Sequence, residues 1–283
     1  MAYNKIVADG FILQAAQKGW PLFMMEIKIC EKNMILKGRI NMEIKILEED
    51  RIAKEAGEMF ISQLKEKPDS VLGLATGNTP IETYKYLVSE YKKGRFSFSK
   101  AKTFNLDEYC NLEESDKNSY HYYMKENLFD EIDIKKGNTN IPDGNNPDAA
   151  AECENYDKNI EAAGGIDLQL LGIGENGHIG FNEPPADFTK GTFKIKLSES
   201  TKNAAAKSFP DGNVPEEALT MGTGTIMKAK KIILIATGPR KAGAVKDFIE
   251  RNVSPDCPAS ILQEHPDVTV FLDGEAAGLL MRG

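Results

Sequence analysis

The chain has 283 residues, 41% of them hydrophobic and 28% charged, with a formal net charge of −8. That length accommodates one large domain or two small ones with a substantial core, and the acidic balance excludes a general nucleic-acid binder, which needs a basic face. Cys30, Cys110, Cys153 and Cys257 are widely spaced with no Cys-x-x-Cys pair, so neither a zinc site nor a disulfide framework is suggested and a reducing, cytoplasmic compartment is expected.

Residues 1–41 show weak periodicity and no clear cap or turn logic. Trp20 to Met25 is too short for a signal peptide, and no apolar run in the chain approaches the roughly 20 residues of a membrane span. Met25-Glu26-Ile27-Lys28-Ile29 recurs as Met42-Glu43-Ile44-Lys45-Ile46. The repeat reads as coincidence, as two edge strands, or as a sign that the functional chain starts at Met42. The expectation is an N-terminal extension over 1–41, poorly ordered or loosely docked, followed by a single α/β domain over 42–283.

From Met42 the pattern is regular. Met42 to Leu47 alternates like a strand, and Glu48 to Lys67 is a helix with Ile52, Ala56, Met59, Phe60 and Leu64 on its apolar face. Val71 to Ala75 is a short apolar run ending in Thr76-Gly77-Asn78-Thr79-Pro80, and a helix marked by Ile81, Tyr84, Leu87, Val88 and Tyr91 follows. Strand, glycine loop and helix N-terminus is an arrangement that binds phosphate through free backbone N–H groups; a capped strand-to-helix turn fits these residues equally well. Lys102 to Leu106 predicts a third strand, delivering Asp107, Glu108 and Tyr109 to its end. Alternation turns only one of the two carboxylates toward a crevice and leaves the other solvated or as a cap. Ser119 to Phe129 is helical, packed through Tyr120, Tyr123, Met124 and Leu128, with His121 structural or exposed.

Asn138 to Pro147 is loop, and Pro147-Asp148 opens a helix that Gly164-Gly165 ends. Ile166 to Leu171 is a buried strand running into Gly172-Ile173-Gly174-Glu175-Asn176-Gly177-His178-Ile179-Gly180-Phe181-Asn182-Glu183-Pro184. A lone His in a loop is more often packed than catalytic. This one stands five positions before a carboxylate, in a loop too glycine-rich to be only a connector. Asp187 to Ser200 is polar and bears Lys190, Lys194 and Lys196; it reads as a solvated segment or as a lid of about 187–208. Thr201 to Ser208 is helical. Lys231 to Ala236 is a β-branched strand ending in Thr237-Gly238-Pro239-Arg240-Lys241, which opens a helix through Ile249. Cys257 to Gln263 is a short helix, and Val268 to Leu272 the last strand. The alternation implies an α/β fold, a mostly parallel Rossmann-like sheet with helices on both faces and a lid segment.

Parallel crossovers put strand C-termini on one edge, so the 76–79 loop, Asp107, and His178 with Glu183 are expected to meet there. No Ser lies in a nucleophile-elbow pattern and no His pair has metal-ligand spacing. The residues therefore point to metal-free acid–base chemistry on a small anionic substrate.

Phe104-Asn105-Leu106-Asp107-Glu108-Tyr109, Gly172 through Pro184, Leu74 through Pro80, and Ser260-Ile261-Leu262-Gln263-Glu264-His265-Pro266 together resemble the glucosamine-6-phosphate deaminase (isomerase) family in its shorter form. The match runs in order from Met42 to the C-terminus. The resemblance implies ring opening of glucosamine 6-phosphate, aldose-to-ketose isomerisation, and release of ammonia to leave fructose 6-phosphate. It makes Asp107 the base between C2 and C1, His178 the ring-opening proton shuttle, and Glu183 the carboxylate that orients the imidazole. Phosphate would lie on Thr76, Gly77, Asn78 and Thr79, with Lys207 and Lys241 supplying charge.

Some members carry Asp where this chain has Asn176, and Arg is common where it has Lys207, which loses the bidentate fork. Basic residues of an allosteric site in hexameric members align near Phe193 and Ile195, so no such activation is expected, although Lys194 and Lys196 lie beside them. Three rivals stay open: a deaminase-isomerase for galactosamine 6-phosphate, a 6-phosphogluconolactonase of the same superfamily, and a non-catalytic sugar-phosphate sensor. Enzymes of this class and size often self-associate, and a homo-oligomer is left open because no interface is legible in one chain.

Overall fold

The computed structural model describes residues 27–30, 33–37, 42–206, 209 and 212–280. In chain order they form β1 (Ile27–Cys30), β2 (Asn33–Lys37), β3 (Met42–Ile46), α1 (Glu49–Glu66), β4 (Val71–Leu74), α2 (Ile81–Lys92), β5 (Lys102–Asn105), β6 (Asp107–Tyr109) and α3 (Tyr120–Asn127). Then come β7 (Thr139–Asn140), α4 (Ala149–Ala162), β8 (Leu168–Gly172), β9 (Phe193–Lys196), α5 (Glu199–Ala205), β10 (Glu217–Thr220), α6 (Thr223–Ile226), β11 (Ile232–Ala236), α7 (Ala242–Glu250) and β12 (Val268–Leu272).

The main sheet has the order β1-β2-β3-β12-β11-β8-β4-β5-β7. From β3 to β7 every neighbour pair is parallel, whereas β1 and β2 add to the β3 edge antiparallel. Every residue of β4, β11 and β12 is buried, as expected where helices cover both faces of a parallel sheet. Gly73 of β4 is registered opposite Gln169 of β8, and a Cβ at residue 73 would lie 1.9 Å from Gln169 Oε1. The glycine in this buried strand makes room for its neighbour's amide.

β2 lies between the last three residues of the first copy of the repeated pentapeptide and the second copy. Leu36 is registered with Ile27 on one side and Ile44 on the other, and Ile35 with Lys28 and Lys45. The remainder of the expected extension over 1–41 lies outside the described residues, as does Lys207.

The chain departs from the sequence reading after β5. Asp107–Tyr109 does not continue that strand: after Leu106 the chain enters a second, three-stranded antiparallel sheet of order β6-β10-β9. Pairing across this sheet makes strands of three- and four-residue segments, of which β6 and β10 are not marked by their own composition. The 187–208 segment accordingly contains β9 and α5. The expected helix at Cys257 to Gln263 is a 3-10 segment, Pro258–Glu264. Glu108 is not solvated. It is 2% exposed and caps α3, accepting from the backbone N–H of Tyr120 and His121 at 3.0 Å each.

Candidate active site

Strands β4, β5, β8 and β11 run parallel, so the loops that follow them emerge on one edge. The loop after β8 is the hub. Gly172 lies against Thr79 of the loop after β4, a Cβ at residue 172 falling 3.7 Å from Thr79 Oγ1. Gly180 lies against β6, where a Cβ would come within 3.6 Å of Asp107 Oδ2. Glu175 pairs with Arg240 at 3.1 Å, beside Lys241 in the 3-10 turn Pro239–Lys241. Glu183 reaches the start of α5. One loop thus brings together the expected groups from four parts of the chain, with Lys207 outside the described residues.

Asp107 is buried on β6, registered opposite Thr220 of β10. Among the described residues no hydrogen-bond donor meets its carboxylate. Burial, with the neighbouring Glu108 charge, pushes its pKa up to about 8. A carboxylate in that range is poised to hold or release a proton near neutral pH.

His178 is one of three histidines. The other two are structural. His121 Nδ1 lies 2.8 Å from Glu108 Oε2, and His265 is buried with Nε2 2.7 Å from the carbonyl of Ala229. His178 is instead a quarter exposed, its Nδ1 3.5 Å from Glu183 Oε1. That is an ion-pair separation, longer than a formed hydrogen bond. Asn176 links both residues: its Oδ1 accepts from the His178 backbone N–H at 3.2 Å and its Nδ2 donates to Glu183 Oε2 at 2.7 Å. Burial would raise the Glu183 pKa, but His178, Thr201 and Asn176 outweigh it and hold the carboxyl at about 2. Glu183 is therefore a fixed negative charge beside the imidazole.

The loop after β4 turns through Gly77 at φ +90°, and the Tyr123 hydroxyl donates to the Gly77 carbonyl at 2.6 Å. The α2 N-terminus carries no side-chain cap; the Ile81 N–H donates to the Asn78 carbonyl at 3.4 Å, and the positive end of the helix faces this loop. Lys241 is half-buried, and burial draws its pKa down. Sequence reasoning missed the anchors of this site. Tyr123 was read only as packing, and Ser198 and Thr201 were not singled out, since nothing in a Ser-x-x-Thr spacing announces a partner at Glu183.

Residues 48–271 match the family model described as glucosamine-6-phosphate isomerases/6-phosphogluconolactonase. The chain belongs to the glucosamine-6-phosphate isomerase/6-phosphogluconolactonase family. Within it, the chain is 51% identical over 229 residues to the glucosamine-6-phosphate deaminase of Thermoanaerobacter pseudethanolicus, covering 81% of this chain and 90% of the relative. It is 52% identical to a glucosamine-6-phosphate deaminase of Clostridium botulinum, covering 81% and 92%. A solved monomeric glucosamine-6-phosphate deaminase superposes with a TM-score of 0.82 at 45% identity, covering 85% of this chain and all of that one. A 6-phosphogluconolactonase from Thermotoga maritima, at 20% identity and a TM-score of 0.68 over 82% of this chain and all of that one, shares the fold. Among the described residues no group of three or more His, Cys, Asp or Glu side chains is arranged to hold a metal ion, and no helix is long and apolar enough to cross a membrane.

Proposed function

We propose that this chain converts glucosamine 6-phosphate and water to fructose 6-phosphate and ammonia in the cytoplasm. The observation that carries the reading is the position of Gly180 beside Asp107, where a Cβ would come within 3.6 Å of the carboxylate: the loop that holds His178 and Glu183 also runs alongside the buried, raised-pKa Asp107. The identity of about half to named deaminases over most of both chains supports the substrate.

In this reading the phosphate lies on the backbone of Thr76, Gly77, Asn78 and Thr79, with Lys207 and Lys241 neutralising its charge. His178 takes the proton from the anomeric hydroxyl and returns one to the ring oxygen, opening the sugar to its aldehyde. Glu183, itself held by Asn176, stabilises the imidazolium formed between the two transfers. The ionised Asp107 removes the C2 proton and delivers it to C1, leaving an imine at C2. Water adds to that imine, the carbon–nitrogen bond breaks, and ammonia leaves. No step calls on a metal or organic cofactor.

Residues 42–283 act as one catalytic unit with 187–208 as its lid, and 1–41 is an added extension. A solved relative is monomeric, and we carry that state to this chain ahead of the homo-oligomer; sizing in solution separates the two. The test of function is ammonia release from glucosamine 6-phosphate beside galactosamine 6-phosphate, with Asp107→Asn and His178→Gln as controls. Release from the first substrate, lost in both variants, is expected. Release that survives both variants would sink the mechanism, and a preference for the galactosamine epimer would change the substrate.

A further inference from the structure

Glu183 has more partners than orienting one imidazole requires. Its Oε1 accepts from the hydroxyl of Ser198 at 3.1 Å and from that of Thr201, while Oε2 accepts from Asn176. Ser198 is the N-cap of α5, its Oγ accepting from the Thr201 N–H at 3.2 Å and lying 3.1 Å from Thr201 Oγ1. A carboxylate oxygen offers two good acceptor directions. On Oε1 both are taken by the two hydroxyls. This accounts for the distance of His178 Nδ1, which stands off the same oxygen at 3.5 Å, buried and without a formed hydrogen bond.

The segment that brings these hydroxyls is tethered on its other side. The backbone N–H and the hydroxyl of Thr192 donate to Asp157 of α4 at 2.8 and 2.6 Å, and β9 is paired along its length with β10. The Leu197 N–H also donates to the Glu216 carbonyl at 2.8 Å, so movement of α5 against Glu183 pivots beyond Leu197.

We propose that Thr201, seconded by Ser198, is a positioning residue that sets His178 through Glu183. The first turn of α5 and the imidazole compete for one carboxylate oxygen, so approach or withdrawal of α5 changes how firmly the ring is held. The inference rests on the reading of His178 as the ring-opening group, and it makes the seating of α5 a condition for that step.

The test uses the full chain labelled with nitrogen-15. With three histidines, His178→Gln assigns the His178 ring signals. Thr201→Val removes the hydroxyl at nearly constant volume and frees Oε1. The His178 Nδ1–H resonance is expected to move downfield and exchange more slowly with water. Drawing the ring toward Glu183 by a fraction of an ångström should lower kcat about tenfold, with KM changed less than about twofold. Thr201→Ser should restore the signal and the rate. If Thr201→Val does not fold, Ser198→Ala removes the other hydroxyl and carries the same expectation for the resonance. A His178 signal that stays in place in a folded variant, or a loss that falls on KM alone, overturns the proposal. Failure of the deaminase reading is distinguishable, because the wild-type protein would then release no ammonia whatever the ring signals do.

Discussion

The His178 imidazole fills the space beside Gly174 that a side chain there would need: a Cβ at residue 174 would lie 2.3 Å from Cε1 and 2.4 Å from Nδ1. The glycine is the floor on which the ring rests. Gly174→Ala should displace the imidazole by about 1 Å and lower kcat on the order of 100-fold. The ring is partly exposed and has room to swing away, so the circular dichroism spectrum and Tm should stay near wild type. A variant of full activity would mean that the ring's seat is not what positions it.

The buried carboxylate of Asp107 predicts an opposition between stability and activity. Its folded-state pKa, about 8, lies above the unfolded carboxylate range. The folded protein therefore binds the proton more tightly, and stability declines as pH rises from about 4 to about 8. Asp107→Asn removes that cost. Calorimetry should show a small gain at pH 5 and a gain larger by several kcal/mol at pH 9. Wild-type activity should rise with pH along a limb centred near 8 as the base ionises. An equal stability gain at both pH values would contradict the assignment.

Glu108 raises Asp107 by its charge and holds the start of α3 by its hydrogen bonds. Glu108→Gln separates the two effects. Loss of charge-assisted bonds to buried N–H groups should lower stability by about 2 kcal/mol in denaturant unfolding. The acid limb of the rate should move to lower pH, because one source of the Asp107 shift is gone. An unchanged limb would assign the whole shift to burial.

Lys241 follows Arg240, the ion-pair partner of the hub loop's Glu175, and is half-buried. Lys241→Met should raise KM about tenfold and leave kcat within about twofold, with inhibition by inorganic phosphate weakened in parallel. A loss confined to kcat would place Lys241 in the chemistry instead of in phosphate binding.

The centre of the main sheet was legible because β4 and β11 are apolar runs and β12 is interrupted only by Thr269, each followed by glycine or a polar turn; the two-residue edge strand β7 lies in a stretch read as loop. The hub loop was legible from its glycines and its His. The second sheet was not, since Asp107–Tyr109 is too short and too acidic to announce a strand. Only Phe193-Lys194-Ile195-Lys196 carried an alternation that could have been read. Thr201 was missed because its partner lies 18 residues away, and such a contact leaves no periodicity; of the two readings of Glu108, solvated or a cap, it is the cap.

The last strand of the chain does not lie at an edge. β12 sits between β3 and β11, joining Met42 to Val268. A ribosome therefore makes almost the whole protein before the sheet can close, and until then β3 has only β2 beside it. During that wait β2 faces Ile27-Lys28-Ile29 on one side and the identical Ile44-Lys45-Ile46 on the other, in the same register, and sequence alone does not distinguish the one destined for the interior. Connectivity decides: β3 leads into α1 across two residues. A nascent chain cut short before residue 268 would carry every catalytic and phosphate-binding group named above and lack the strand that completes their scaffold, which makes synthesis through β12 the commitment step of folding.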